Sequence, residues 1–227
     1  MSQALSEFLA NLALPQALLD LEATFSDPPP PDKRQLAEAL RYGAIVLMVA
    51  CFENYFKVVV EEQIDRLNAD SHLLLEKLPE AMRLRNLEGL FEAAKKLKKA
   101  SREQAYLQGV EKIHKNKLDA EAFSILAQSN PNSDKIADLC RALGINSIFE
   151  KLVTHFRDQD IMTGALLAEK LDEIINKRHT VAHTGKALNL SREDLKKHLG
   201  FLKKFAEAYD QCLDKHIQDI LQRINLA

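Results

Sequence analysis

The stretch that most restricts the fold is AIVLMVACFENYFKVVVEE, residues 44 to 62. The run from Tyr42 to Phe52 is apolar on every face a helix would present, and such a helix has to be surrounded by protein. At 11 residues the run is well short of the roughly 20 that cross a bilayer. A run of four prolines, Pro28 to Pro31, stops any helix before it, and Asp32 is placed to cap the next one. The pattern predicts one helix from about Lys33 to Leu67, with its middle third at the centre of a bundle. Glu53 and Asn54 interrupt the apolar stretch. Buried polar groups need partners, so this pair is satisfied by neighbours, exposed at an edge, or kept for a purpose.

Helix is also what the rest of the chain supports. Only 7 Gly and 7 Pro occur in 227 residues, and no segment sustains the two-residue alternation of a strand, so the expected fold class is all-α. A hydrophobic fraction of 46% beside 28% charged residues excludes a disordered chain. The expected organisation is an N-terminal helical arm with its proline-rich linker, 1–31, interrupted near Pro15, followed by a helical domain, 32–227. Asn86 to Lys117 reads as helical, with Ser101 and Gln104 spaced as a capping box between two helices. Short helices follow, with breaks at Ser129 to Ser133 and at Gly144, which is placed as a left-handed helix end. A helix from about Ala165 to His183 stops at Gly185, and a last one opens on the box Ser191 to Asp194 and runs to about Arg223. A short polar turn joins these two, which predicts an antiparallel helical hairpin.

A net charge of −2 offers no overall attraction to nucleic acid, so any RNA contact has to be local. The most basic stretch holds Lys95, Lys96, Lys98, Lys99 and Arg102, then Lys112, His114, Lys115 and Lys117. It either tracks a phosphate backbone or is a solvated helix face. Cys51, Cys140 and Cys212 are odd in number and far apart, which fits neither a disulfide framework nor a CxxC metal site, so the expected compartment is the reducing cytoplasm. Met1 to Phe25 lacks the cationic start of a signal peptide, and no membrane association is expected.

Chemistry-bearing residues concentrate in LDEIINKRHTVAHTG, residues 171 to 185. Leu171, Ile174, Ile175, Thr180, Val181 and Ala182 give this helix an apolar face, while Lys177, Arg178, His179 and His183 gather at its C-terminal end. The helix dipole favours cations there, and that alone would account for them. Spacing offers a metal site as an alternative. His179 and His183, four apart, are placed to share a zinc ion, with Asp172 on the same stripe as a third ligand, although the Glu of HExxH is missing.

Arg178-x4-His183, followed by a turn and a long amphipathic helix, resembles the Arg-x4-6-His signature of HEPN domains. The apolar helix at 44 to 62, with its embedded acid, resembles the HEPN core helix, and Asn130 to Phe156 resembles the region before the motif in the RiboL-PSP-HEPN subgroup. Together these cover residues 36 to 222. The resemblance implies a HEPN-like helical bundle with two long core helices, the C-terminal antiparallel hairpin and additional short helices. It implies a metal-independent endoribonuclease without a cofactor, acting on RNA as a homodimer whose motifs face each other. The setting it implies is a toxin or phage-defence effector with an antitoxin or defence-system partner. Some relatives instead bind RNA, nucleotide or protein without catalysis. Carried over, His183 is the acid/base residue, Arg178 binds the scissile phosphate and Glu53 supports them, while Lys177, Thr184 and Lys186 line the substrate. His179 stands where many members have Asn, placed to orient Arg178 or contact RNA. The residue types suit that chemistry: RNA supplies its own 2′-hydroxyl nucleophile, imidazole moves protons near neutrality, and guanidinium matches phosphate with a two-pronged hydrogen bond.

Overall fold

The computed structural model describes residues 1–127, 131–184 and 190–226, and every regular element among them is helical. In chain order these are α1 (Gln3–Asn11), α2 (Ala13–Glu22), α3 (Arg34–Ala69), α4 (Glu80–Lys96), α5 (Lys99–His114), α6 (Ala120–Ala127), α7 (Ser133–Ala142), α8 (Ile148–Leu152), α9 (Gly164–Thr184) and α10 (Arg192–Leu226).

α3 is the axis of the molecule. It is long and apolar enough to cross a membrane, but Ala44, Ile45, Met48, Val49, Phe52, Phe56, Val59 and Val60 are buried at the centre of the protein's own core. α10 is the second long core helix. Its contacts with α3 advance together, from Phe52 on Phe205, through Tyr55 Oη on the Ala206 carbonyl at 3.1 Å and Phe56 on Tyr209, to Arg66 on Asp214, so the two run parallel. α1 and α2 run the other way along α3. Gln3 and Ala4 donate to Glu62, Phe8 stacks near Tyr55, and Glu22 meets Arg41. Ala4, Leu5, Phe8, Leu12 and Leu19 belong to the same core as α3 and α10.

Local stop and start signals are partly as the sequence predicts. Gly144 has φ +82°, and its N–H closes the end of α7 on the Arg141 carbonyl at 2.9 Å. Ser191 and Asp194 form the expected box: Ser191 Oγ donates to Asp194 at 2.7 Å and accepts from the Asp194 N–H at 3.0 Å. Two expected caps are corrected. Lys33, not Asp32, occupies the N-cap position of α3 and makes no side-chain cap bond. The α4–α5 break falls at Leu97 and Lys98, leaving Ser101 inside α5. Its physical basis is Arg102, whose Nη2 donates to the Lys95 and Leu97 carbonyls, each at 3.2 Å. The break is thus sealed at the carbonyl end of α4 by a cation and not at the N–H end of α5 by a hydroxyl. Of the expected break at Ser129 to Ser133, residues 128–130 lie outside the described residues, and Asn132 caps α7 by accepting from the Lys135 N–H at 3.0 Å.

Candidate functional site

α9 carries its apolar stripe, Leu167, Leu171, Ile174 and Ile175, against α3, and all four are fully buried. Arg178 lies four residues beyond Ile174 and three beyond Ile175, so it continues that inward stripe. Its stem is drawn towards α3, and Nη2 meets Glu53 Oε2 at 3.2 Å. The side chains are 21% and 24% exposed, so the pair sits in a partly shielded notch. The Arg178 Nε is buried and has no hydrogen-bond partner among the described residues. Asn54, beside Glu53, is exposed.

His183 is five residues on, roughly 140° around the helix from Arg178, and it is exposed together with His179. The two imidazoles contact each other, with ring centroids 4.3 Å apart at 44°. The structure therefore joins Arg178 to Glu53 and His179 to His183, and gives the two pairs different faces of one helix. Lys177 takes a third direction. Its Nζ is bonded to Glu173 and lies 3.2 Å from His198 Nε2, linking α9 to α10. Lys186 and the Thr184 side chain lie outside the described residues.

The metal alternative loses its third ligand. Asp172 accepts from the Ser133 N–H at 2.8 Å and from its hydroxyl at 2.6 Å, which commits it to the start of α7. Among the described residues no group of three or more His, Cys, Asp or Glu side chains is placed to hold a metal ion.

His198 is a neighbour that sequence reasoning missed. It is 2% exposed, and burial first, then the Lys177 charge, push its imidazole down to about 4. Because an ammonium can only donate, Nε2 accepts and the proton sits on Nδ1, which is buried without a partner among the described residues. Partial burial raises the Glu173 carboxyl, but hydrogen bonds from Lys170 and Lys177 outweigh it and bring it to about 2. The signal for His198 is in the sequence: Leu195, His198, Leu202, Phe205 and Tyr209 follow the three-four spacing of a buried stripe.

A pH effect on stability follows. Below about pH 6.5 the unfolded chain takes up a proton that folded His198 refuses until about 4, so its contribution is present above that range and is lost as pH falls. Between about pH 7 and about pH 5 this should remove about 1–2 kcal/mol. Urea unfolding at both values should show it, with a smaller drop in His198→Gln; an equal drop in that variant would refute the assignment.

The sequence profile of RiboL-PSP-HEPN matches residues 16–215. No curated protein and no solved structure matches.

Proposed function

The chain belongs to the RiboL-PSP-HEPN family, whose profile covers most of its length, and from that premise we propose that it is a metal-independent endoribonuclease. The observation that supports this reading is an accessible His183 at the end of the helix that carries a partly shielded Arg178. In the proposed reaction the RNA 2′-hydroxyl attacks the adjacent phosphorus and the 5′-oxygen leaves. An imidazole takes or gives the proton, and the Arg178 guanidinium neutralises the charge building on the phosphorane oxygens. Glu53 keeps the guanidinium at its post through Nη2.

The divergence of Arg178 and His183 on one helix favours an active unit of two chains. A two-fold axis through the end of α9 would bring Arg178 of one chain towards His183 of the other and so make two equivalent sites, each with one guanidinium and one motif imidazole. A role as a toxin or defence effector with a cognate partner is part of the same proposal.

The Arg178–Glu53 ion pair also favours a second reading. If the pair persists when RNA binds, the domain holds RNA, nucleotide or protein without cutting. One experiment separates the two readings. Purified protein incubated with end-labelled RNA is expected to cleave it in the presence of EDTA and to leave 2′,3′-cyclic phosphate or 3′-phosphate ends. RNA carrying a 2′-deoxyribose at the scissile position should be inert. Cleavage that requires a divalent ion, or that survives the 2′-deoxy substitution, would overturn the mechanism; binding without cleavage would establish the second reading.

A further inference from the structure

The charge of this protein is unevenly spread. Ten basic and five acidic side chains lie between Glu80 and Lys117, a surplus of +5 on a chain of net −2, which leaves −7 on the remainder. A polyphosphate strand is repelled by most of the molecule and attracted to the α4–α5 hairpin. The surplus is concentrated at the tip, where Lys95, Lys96, Lys98 and Lys99 are all exposed. Three of the hairpin's five acids are already paired within it, Glu88 and Glu92 with Arg85 and Glu111 with Lys115.

Beside the tip the hairpin leaves aromatic surface open. α4 and α5 approach closely at Gly109, where a Cβ would sit 3.2 Å from Leu90, and the cleft above is lined by Leu87, Phe91, Tyr106 and Val110. Phe91 is 53% exposed, and its ring lies 5.8 Å from that of Tyr106 at 54°. Phe91 and Lys95 are one helical turn apart on α4, and Tyr106 and Lys99 are two turns apart on α5, so each ring shares a helix face with a tip lysine. Flat rings beside a row of cations are the combination that holds single-stranded nucleic acid, because bases stack on the rings while the cations follow the phosphates. A second copy of the same hairpin would bring another +5 against it, which disfavours a symmetric contact through this face.

We propose that the α4–α5 hairpin is an arm for single-stranded RNA, with Phe91 and Tyr106 stacking bases and Lys95, Lys96, Lys98 and Lys99 holding phosphates. This deepens the ribonuclease reading by naming the strandedness of its substrate, and rests on that reading only for what later happens to the strand.

The probe is a fluorescein-labelled 2′-O-methyl oligouridine of about 20 nucleotides, long enough for such a site and lacking the 2′-hydroxyl nucleophile. Anisotropy titrations are expected to show salt-dependent binding. Replacing the four tip lysines by serine should weaken it about tenfold or more and flatten the salt slope by about 0.7 for each phosphate no longer neutralised. Phe91→Ala should weaken binding by about fivefold to a hundredfold with the slope unchanged, since a stacked ring releases no counterions. All these side chains are exposed, so helicity and melting temperature should hold. Wild-type protein that does not bind, or variants that bind as tightly as wild type, would overturn the arm. So would wild-type protein that self-associates or takes up an acidic amphipathic peptide through this cleft while Phe91→Ala abolishes that association and keeps its RNA affinity. Binding that fails in the variants, with no RNA cleaved by wild type, defeats the ribonuclease reading and leaves the arm standing. Cleavage with unchanged affinity in the variants does the reverse.

Discussion

His183→Ala is expected to reduce RNA cleavage by roughly 10²–10⁴-fold, the contribution of a positioned proton-transfer group, with the melting temperature nearly unchanged. The imidazole is exposed and touches the neighbouring His179 ring, and substitutions of that kind stay within about 0.5 kcal/mol. Arg178→Ala should lower cleavage by about 10²–10³-fold, but it should also destabilise. Its guanidinium pairs with Glu53, and a partly shielded carboxylate left alone costs about 1 kcal/mol or somewhat more. Glu53→Gln should have a smaller effect on rate than either. Mixing the two inactive proteins tests the two-chain site. If one chain's Arg178 works with the other chain's His183, half of the chains pair as heterodimers and each heterodimer keeps one intact site, so roughly a quarter of wild-type activity returns. A site complete within one chain returns none. Fully active His183→Ala protein would refute the assignment outright.

Glu22→Ala is expected to be the most destabilising of the substitutions considered. Its carboxylate has no exposed surface and is held from two sides. Arg41 donates to Oε1 from Nε at 2.8 Å and from Nη2 at 2.5 Å, and Arg192 donates to Oε2 from Nε at 2.6 Å. The same guanidinium groups bind the Leu190 carbonyl at 3.2 Å and the Phe25 carbonyl at 3.0 Å. One side chain thus ties the end of α2 to α3 and to the start of α10. Alanine leaves two shielded guanidinium groups without their counter-charge, which costs about 3–5 kcal/mol. For a protein of this size that is a fall in melting temperature of roughly 6–20 °C. Acid should imitate the mutation. Burial alone would raise the Glu22 carboxyl, but the hydrogen bonds and charges of Arg192 and Arg41 outweigh it, so it titrates below the usual carboxylate range. Its contribution is present above about pH 4.5 and is lost as pH falls through the folded value. Calorimetry of Glu22→Ala with an unchanged midpoint would reject the role given to the cluster.

Much of the fold was legible because its signals are local. The fully apolar run after Tyr42 places a helix at the centre of the bundle, and α3 runs there. The Ser191–Asp194 box and Gly144 stop and start helices where the sequence predicts, since caps are settled within a few residues. The Ser101 expectation failed by the same logic. A capping box is a statement about free N–H groups, and Arg102 sealed carbonyl groups instead, a few residues earlier in the chain.

The sequence by itself determined that the chain is helical, which helix lies innermost, and that Arg178 and His183 ride together near the end of α9. Periodicity and spacing settle such matters within one element. What the tertiary structure decided is where those side chains go. Arg178 turns inward to an acid 125 positions away, Lys177 crosses to a buried His198, and Glu22, which reads as one more surface acid, becomes the anchor of three helices. Each outcome depends on which helix faces meet and how deeply, because a charged group is held inside only where a partner on another element offsets the water it has lost, and no local pattern specifies that partner.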